Sequence, residues 1–211
     1  MNKGGFELPL FFDIGATAAF ALTGAFAGVR RGYDIVGVFF LSAATALGGG
    51  LIRDGIFLNQ GVPLAIRNPA YITTVAAACG LGLLLTSRMR RFERWIMIGD
   101  ALGLGTYSVV GAQMALRDGL GVPAALVIGV LNATGGGLLR DVLAREEPFV
   151  FKPGEFYVLV ALAGAVCFVF MAVVLGTRMK TAAVTAIAVT LVFRYLTVRY
   201  KWRTRPFSSL A

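Results

Sequence analysis

Seven long apolar stretches alternate with short polar connections along the chain, at residues 8–29, 35–52, 69–87, 95–116, 120–139, 156–176 and 181–198. Each approaches the ~20 residues that a helix needs to cross the hydrocarbon core of a bilayer. The runs are continuous and lack the period-two alternation of a membrane β-barrel strand. The pattern therefore predicts an all-α polytopic membrane protein with seven transmembrane helices. The connections are too short to hold a soluble module, so residues 1–211 read as a single transmembrane domain.

The stretches repeat in order. GGGLIRD at 48–54 recurs as GGGLLRD at 135–141, an offset of 87 residues. At the same offset Asp13 meets Asp100, Gly24 meets Gly111, Arg30 meets Arg117, Gly32 meets Gly119 and Ala46 meets Ala133. Residues 13–54 and 100–141 share 12 identities over 42 ungapped positions, where unrelated apolar segments of this composition would share roughly 3 to 5. Two three-helix units follow, 8–87 and 95–176, with 181–198 as an extra transmembrane helix that packs outside the repeated six. An odd number of crossings makes the second unit start on the opposite side of the membrane, so the repeats are inverted. Transport proteins commonly use this plan, with the functional path near the midplane between the units.

The triplets Gly48, Gly49, Gly50 and Gly135, Gly136, Gly137 are what an ordinary helix would not carry. Each interior glycine costs about 1 kcal/mol relative to alanine and loosens the backbone, so the triplets predict a break or kink, a hinge beside a pore. Irregular backbone at membrane depth is tolerated only where protein buries it or a water-filled cavity meets it. The competing reading is close helix packing through small residues. That reading suits the isolated Gly24, Gly28 and Gly111 better than a repeated triplet followed by Arg-Asp. Ser42 and Thr45 precede the first triplet, Asn132 and Thr134 lie just before the second, and all four are candidate pore-lining polar groups.

Asp13, Asp100, Arg53, Asp54, Arg140 and Asp141 lie in or at the edges of apolar stretches. An ionised group at that depth costs roughly 3 kcal/mol or more unless it is paired, hydrated or able to reach the interface. Snorkelling at a helix end accounts for either arginine taken alone. Their recurrence beside aspartate, with Asp13 and Asp100 mirrored, points to charge-paired residues along a path or at its gate. Arg30 and Arg117 recur in short loops and mark topology.

Composition narrows the function. With 57% hydrophobic residues and no histidine, and with no nucleophile and base in view, an enzyme is not expected. Nor is any cofactor or structural metal. The formal charge of +9 raises the question of nucleic acid, but the distribution of the basic residues favours a membrane. With the N-terminus outside, segments 30–34, 88–94, 140–155 and 199–205 put 13 of the 20 Lys and Arg residues on the cytoplasmic side and 6 on the other. Arg194 falls inside the last stretch. The tail RYKWRTRPF suits anionic lipid headgroups, and no nucleic-acid partner is expected. Residues 1–28 superficially resemble a signal peptide, yet Asp13 inside the run argues against cleavage. Cys79 and Cys167 read as small hydrophobes and are assigned no function.

The doubled GGGxxRD, the opening DIGATAAFALTGAFAG, the seven stretches and the inverted halves resemble the trimeric intracellular cation channels. The similarity is greatest to their prokaryotic members, a group also described as a glycine-transporter-like domain. The resemblance covers the chain through its seventh stretch. It implies a homotrimer with a pore in each subunit, formed by stretches 1, 2, 4 and 5 and kinked at Gly48–Gly50 and Gly135–Gly137. It also implies passage of K+ and Na+ as transient ions. Animal members bind phosphoinositides through a basic motif and act in calcium release; the motif has no match here, and neither property is carried over. A prokaryotic plasma membrane is the expected location.

Two functions remain open at this level. A passive cation channel needs oxygen ligands or negative potential along a hydrated route, which Asp13, Asp100, Ser42, Thr45, Asn132 and carbonyls at the glycine breaks could supply. A secondary transporter for a small zwitterion such as glycine would use the same scaffold, with half-helix N-termini holding the carboxylate.

Overall fold

A computed structural model describes residues 9–58, 61–85, 89–152 and 156–202, with side chains for all of these except 89–96. Every regular element among them is helical: α1 (Leu10–Arg30), α2 (Ile35–Ile52), α3 (Leu64–Arg67), α4 (Pro69–Leu84), α5 (Met89–Arg117), α6 (Val122–Leu143), α7 (Tyr157–Val169) and α8 (Met179–Arg199). The seven apolar stretches thus coincide with seven long helices. Five segments, Leu10–Arg30, Ile35–Phe57, Val122–Leu143, Tyr157–Val174 and Met179–Arg199, are long and apolar enough to cross a membrane. Lys3, the end of the third stretch at 86–87 and most of the basic tail lie outside the described residues.

Helix ends explain several repeated residues. Gly32 and Gly119 have φ of +71° and +84°, the left-handed conformation that favours glycine just past a helix. The amide of Tyr33 donates to Gly28 and that of Gly32 to Val29; Leu120 and Gly119 donate likewise to Ala115 and Leu116. Both carbonyl pairs would otherwise be orphaned at a helix end. The shared Arg-x-Gly spacing is therefore a stop signal. The Asp34 carboxylate caps α2 by accepting from the Gly37 amide at 2.8 Å, and the Asn68 side chain caps α4 by accepting from Ala70 at 3.0 Å.

The predicted boundaries are too short in three places: α5 begins at Met89, six residues before 95, and two helices run on at their C-terminal ends. α2 runs past 52 into a single π-helical turn, Arg53–Phe57, and α6 runs past 139 to Leu143. In both, an Arg-Asp pair extends the helix because the charges are satisfied within the protein. α7 also ends in a π-helical turn, Phe170–Val174.

Packing follows the repeat. α1 lies against α2 and α4, α5 lies against α6 and α7, and the units meet through α1 on α5 and α2 on α6. One apolar core gathers Phe20, Val75, Leu104, Tyr107 and Val160 where the units meet. A second joins Val109, Ile128, Phe168 and Ala183 within the second unit and α8. α8 rests on α5 and α7.

Candidate functional site

The glycine triplets do not break their helices. α2 and α6 are continuous α-helix through Gly48–Gly50 and Gly135–Gly137, which corrects the expectation of a broken backbone. The glycines instead allow the two helices to touch. A methyl group on Gly49 would fall on the Asn132 carbonyl oxygen, and one on Gly136 would fall on the Thr45 carbonyl oxygen. Thr45 and Asn132 are themselves 87 residues apart, so each unit performs the same contact on the other. Gly135 completes the crossing, its added carbon lying 3.3 Å from Gly49 Cα, and Gly48 faces Leu139.

The third glycine of each triplet has another use. An added carbon at Gly50 would lie 3.7 Å from Arg53 Nη2, and one at Gly137 would lie 3.9 Å from Arg140 Nη2. A helical side chain folds back over the preceding turn, so in GGGxxRD the guanidinium lies over the last glycine. Gly24 and Gly111 pack as anticipated. An added carbon would lie 2.8 Å from Ser42 Cα for Gly24 and 2.9 Å from Gly129 Cα for Gly111.

Two charged clusters flank this crossing. In the first, Arg53 Nε pairs with Asp54 Oδ1 at 2.6 Å, and both side chains are almost fully buried. Asp54 Oδ2 also accepts from the Leu64 amide at 3.0 Å. Among the described residues Asp13 makes no ion pair; its Oδ2 accepts from the Tyr71 hydroxyl at 2.6 Å. Arg53 Nη1 is buried without an acceptor among the described residues. In the second cluster, Arg140 Nε pairs with Asp141 at 3.0 Å and Nη1 with Asp100 at 3.3 Å. Nη1 also donates to the Thr23 hydroxyl at 3.3 Å, and Asp141 Oδ2 accepts from the Phe149 amide at 3.1 Å. Burying these charges is tolerable because each has a partner.

The first cluster opens onto a cavity of about 280 Å³ with Asp13, Asp54 and Gln113 in its wall and Arg67 and Arg117 among its more exposed residues.

The polar candidates near the triplets are turned towards the backbone. Ser42 donates to the Ala21 carbonyl at 2.7 Å, Thr45 to Leu41 at 2.6 Å and Thr134 to Val130 at 2.8 Å. Asn132 Nδ2 donates to the Tyr107 carbonyl at 2.8 Å, while its Oδ1 meets no donor among the described residues. None of the four lines the cavity at the first cluster.

Sequence reasoning missed the tyrosines and one arginine. Tyr71 holds Asp13. Tyr107 stacks on Phe20 with ring centroids 5.3 Å apart and donates to the Ala46 carbonyl at 2.8 Å; Phe20 and Tyr107 are also 87 residues apart. Tyr157 lies behind Arg140, and Arg194 lies over the Tyr157 ring at 5.1 Å. A signal existed for each: a tyrosine hydroxyl in an apolar helix needs a partner, and an arginine within a membrane stretch is a functional candidate by default.

Comparison with known proteins brings these features together. The family model described as "Glycine transporter" matches the chain twice, over residues 10–87 and 97–173. A UPF0126 membrane protein of Deinococcus radiodurans is 38% identical over 74% of the chain and 72% of its own length. The inner membrane protein YadS of Escherichia coli is 30% identical over 95% of the chain and 97% of its own. The crystal structure of a trimeric intracellular cation channel orthologue from Rhodobacter sphaeroides superposes with a TM-score of 0.85 at 30% identity, covering 92% of this chain and 98% of that one.

Proposed function

Because this chain belongs to the trimeric intracellular cation channel family, shared with the UPF0126 membrane proteins, we propose that it is a passive channel for monovalent cations, K+ and Na+. It works as a homotrimer in a prokaryotic plasma membrane, with a pore inside each subunit between α1, α2, α5 and α6. Seven helices cross the membrane as two inverted repeats plus α8, with the N-terminus outside and the C-terminus in the cytoplasm.

The observation that carries this reading is the paired arrangement of charge around the crossing. A cation path cannot hold an uncompensated arginine, because a fixed positive charge raises the barrier for potassium. Arg53 and Arg140 are each matched by carboxylates, at 2.6 Å and at 3.0 and 3.3 Å. Between them the backbones of Gly49 and Asn132, and of Gly136 and Thr45, touch without room for a methyl group. This is a closed state. Opening requires α2 and α6 to separate at the glycines, and release of Arg140 from Asp100 leaves a carboxylate facing the path. Asn132 Oδ1, which meets no donor among the described residues, is then an oxygen ligand at the narrowest point. Asp13, at the wall of the cavity, concentrates cations at the outer mouth.

A second reading is favoured by that same cavity. It combines the carboxylates Asp13 and Asp54 with the guanidinium groups Arg67 and Arg117, a pairing of signs that suits a small zwitterion such as glycine, as a secondary transporter would require. Planar-bilayer recording of the purified protein separates the two. Unitary current steps with a reversal potential set by the potassium gradient are expected of the channel. Saturable uptake driven uphill by a sodium or proton gradient, without unitary steps, would overturn it.

A further inference from the structure

We propose that Arg194, on the unrepeated helix α8, is a positioning residue that clamps Tyr157 and thereby holds the Arg140 cluster shut, so that α8 controls one end of the path and not the other. This rests on the channel reading for its consequence but on geometry for its parts.

Arg194 is only 7% exposed, although its chain neighbour Tyr195 is 65% exposed. It lies five residues before the helix end at Arg199. An arginine so near a membrane helix end ordinarily extends its stem to the headgroups. This one turns into the bundle instead, and its guanidinium carbon sits 5.1 Å from the centroid of the Tyr157 ring. The position is rigidly set. One turn earlier Thr190 is fully buried and meets both Gly105, where an added carbon would lie 3.1 Å from Thr190 Cβ, and Gly164, which has no room for one. α8 is thus locked onto α5 and α7 immediately beside Arg194.

Tyr157 transmits the contact. Its hydroxyl lies 3.4 Å from where a carbon on Gly137 would stand, and that same point is 3.9 Å from Arg140 Nη2. The tyrosine has Arg194 against its ring and its hydroxyl end beside the groove in which the Arg140 guanidinium rests. The Arg140 guanidinium already lies over Gly137 beside the Tyr157 hydroxyl, so it cannot move further across that glycine without displacing Tyr157, and Tyr157 cannot shift without leaving its cation. Among the described residues the first cluster has no such device. Tyr71 there is hydrogen-bonded to Asp13, and α8 packs on α5 and α7 at the second unit.

The test reads latch opening without current. In a background with Cys79 and Cys167 replaced by serine, Thr23→Cys reports on the Arg140 end and Val110→Cys on the Arg53 end, through their rates of modification by a methanethiosulfonate reagent. A cation–π contact shifts an equilibrium by a factor of roughly 2 to 30, so Arg194→Gln should raise the Thr23→Cys rate by that order and leave Val110→Cys unchanged. Arg194→Lys keeps a cation over the ring and should restore most of the closed rate. Starting from Tyr157→Phe, progressive ring fluorination should raise the rate stepwise, because it weakens the ring's attraction for a cation at nearly constant shape. In an Arg140→Gln background, Arg194→Gln should add nothing. Equal changes at both ends, additivity with Arg140→Gln, or indifference to fluorination would each overturn the clamp. If labelling behaves as expected while bilayers show no unitary current, the clamp stands and the channel reading falls.

Discussion

Arg53 and Arg140 occupy equivalent places in the two sequence units, yet they are held differently. Arg140 has three side-chain partners, Asp141, Asp100 and Thr23. Arg53 has Asp54, and its Nη1 meets no acceptor among the described residues. One substitution between the units and one difference in partner account for this. The residue 87 positions after Thr23 is Val110, which offers no oxygen and lines the cavity instead. Asp13, the counterpart of Asp100, is drawn to Tyr71 at 2.6 Å. The result is one cluster with its arginine fully paired and one opening onto a cavity beside a carboxylate. The sequence repeat supplies two copies of an Arg-Asp cluster, and a few differences between the copies leave one more fully paired than the other; on the proposed reading the more fully paired copy is the latch and the other the mouth.

The largest effects are expected at the crossing of α2 and α6. Gly49→Leu or Gly136→Leu places a branched side chain on the backbone of the facing helix, so each should destabilise the protein by about 3 kcal/mol or more. Thermal unfolding in detergent should show a large fall in midpoint and yield. Gly50→Ala should be nearly neutral, since the nearest atom to its new carbon is 3.7 Å away; equal damage at 49 and 50 would mean that helix softness, not contact, is what the triplet provides.

Removing the arginines comes next. Arg53→Ala strands the buried Asp54 and should cost about 3 to 5 kcal/mol. Arg140→Ala frees two aspartates whose cluster is more exposed, with side chains of Arg140 and Asp100 at 12% and 15%. Its chief effect should be a raised open probability in single-channel records, with potassium-over-chloride preference retained. The same change in open probability from both variants would abolish the distinction between latch and mouth.

Asp13→Asn should act in the opposite sense, lowering cation preference as read from the reversal potential, while Asp100→Asn should chiefly raise open probability. The smallest effects belong to the pair that sets the asymmetry. Val110→Thr offers an oxygen near Arg53 and should stabilise by roughly 1 kcal/mol, and Thr23→Val should lose a similar amount. Chemical-denaturant midpoints check both. Opposite signs would support the account of how the ends diverged, and equal signs would sink it.

The helices could be read from the chain alone, as could the internal repeat that relates them. Long apolar runs in lipid leave no alternative that satisfies the backbone, and Arg-x-Gly at 30–32 and 117–119 fixes two helix ends locally. The sequence also made the charged candidates visible, because an aspartate or arginine inside an apolar run is conspicuous. What the triplets do was decided only in three dimensions. Glycine in a helix is equally consistent with a hinge and with a contact, and the choice depends on which atom of another helix arrives there: Asn132 O at Gly49, Thr45 O at Gly136. Partner choice was likewise tertiary. Asp13 and Asp100 are the same letter in the same register, but Tyr71 comes from α4, 58 residues beyond Asp13, and Arg140 from α6, 40 residues beyond Asp100. Ion pairs and hydrogen bonds are settled within a few tenths of an ångström, a precision that only the packed bundle supplies.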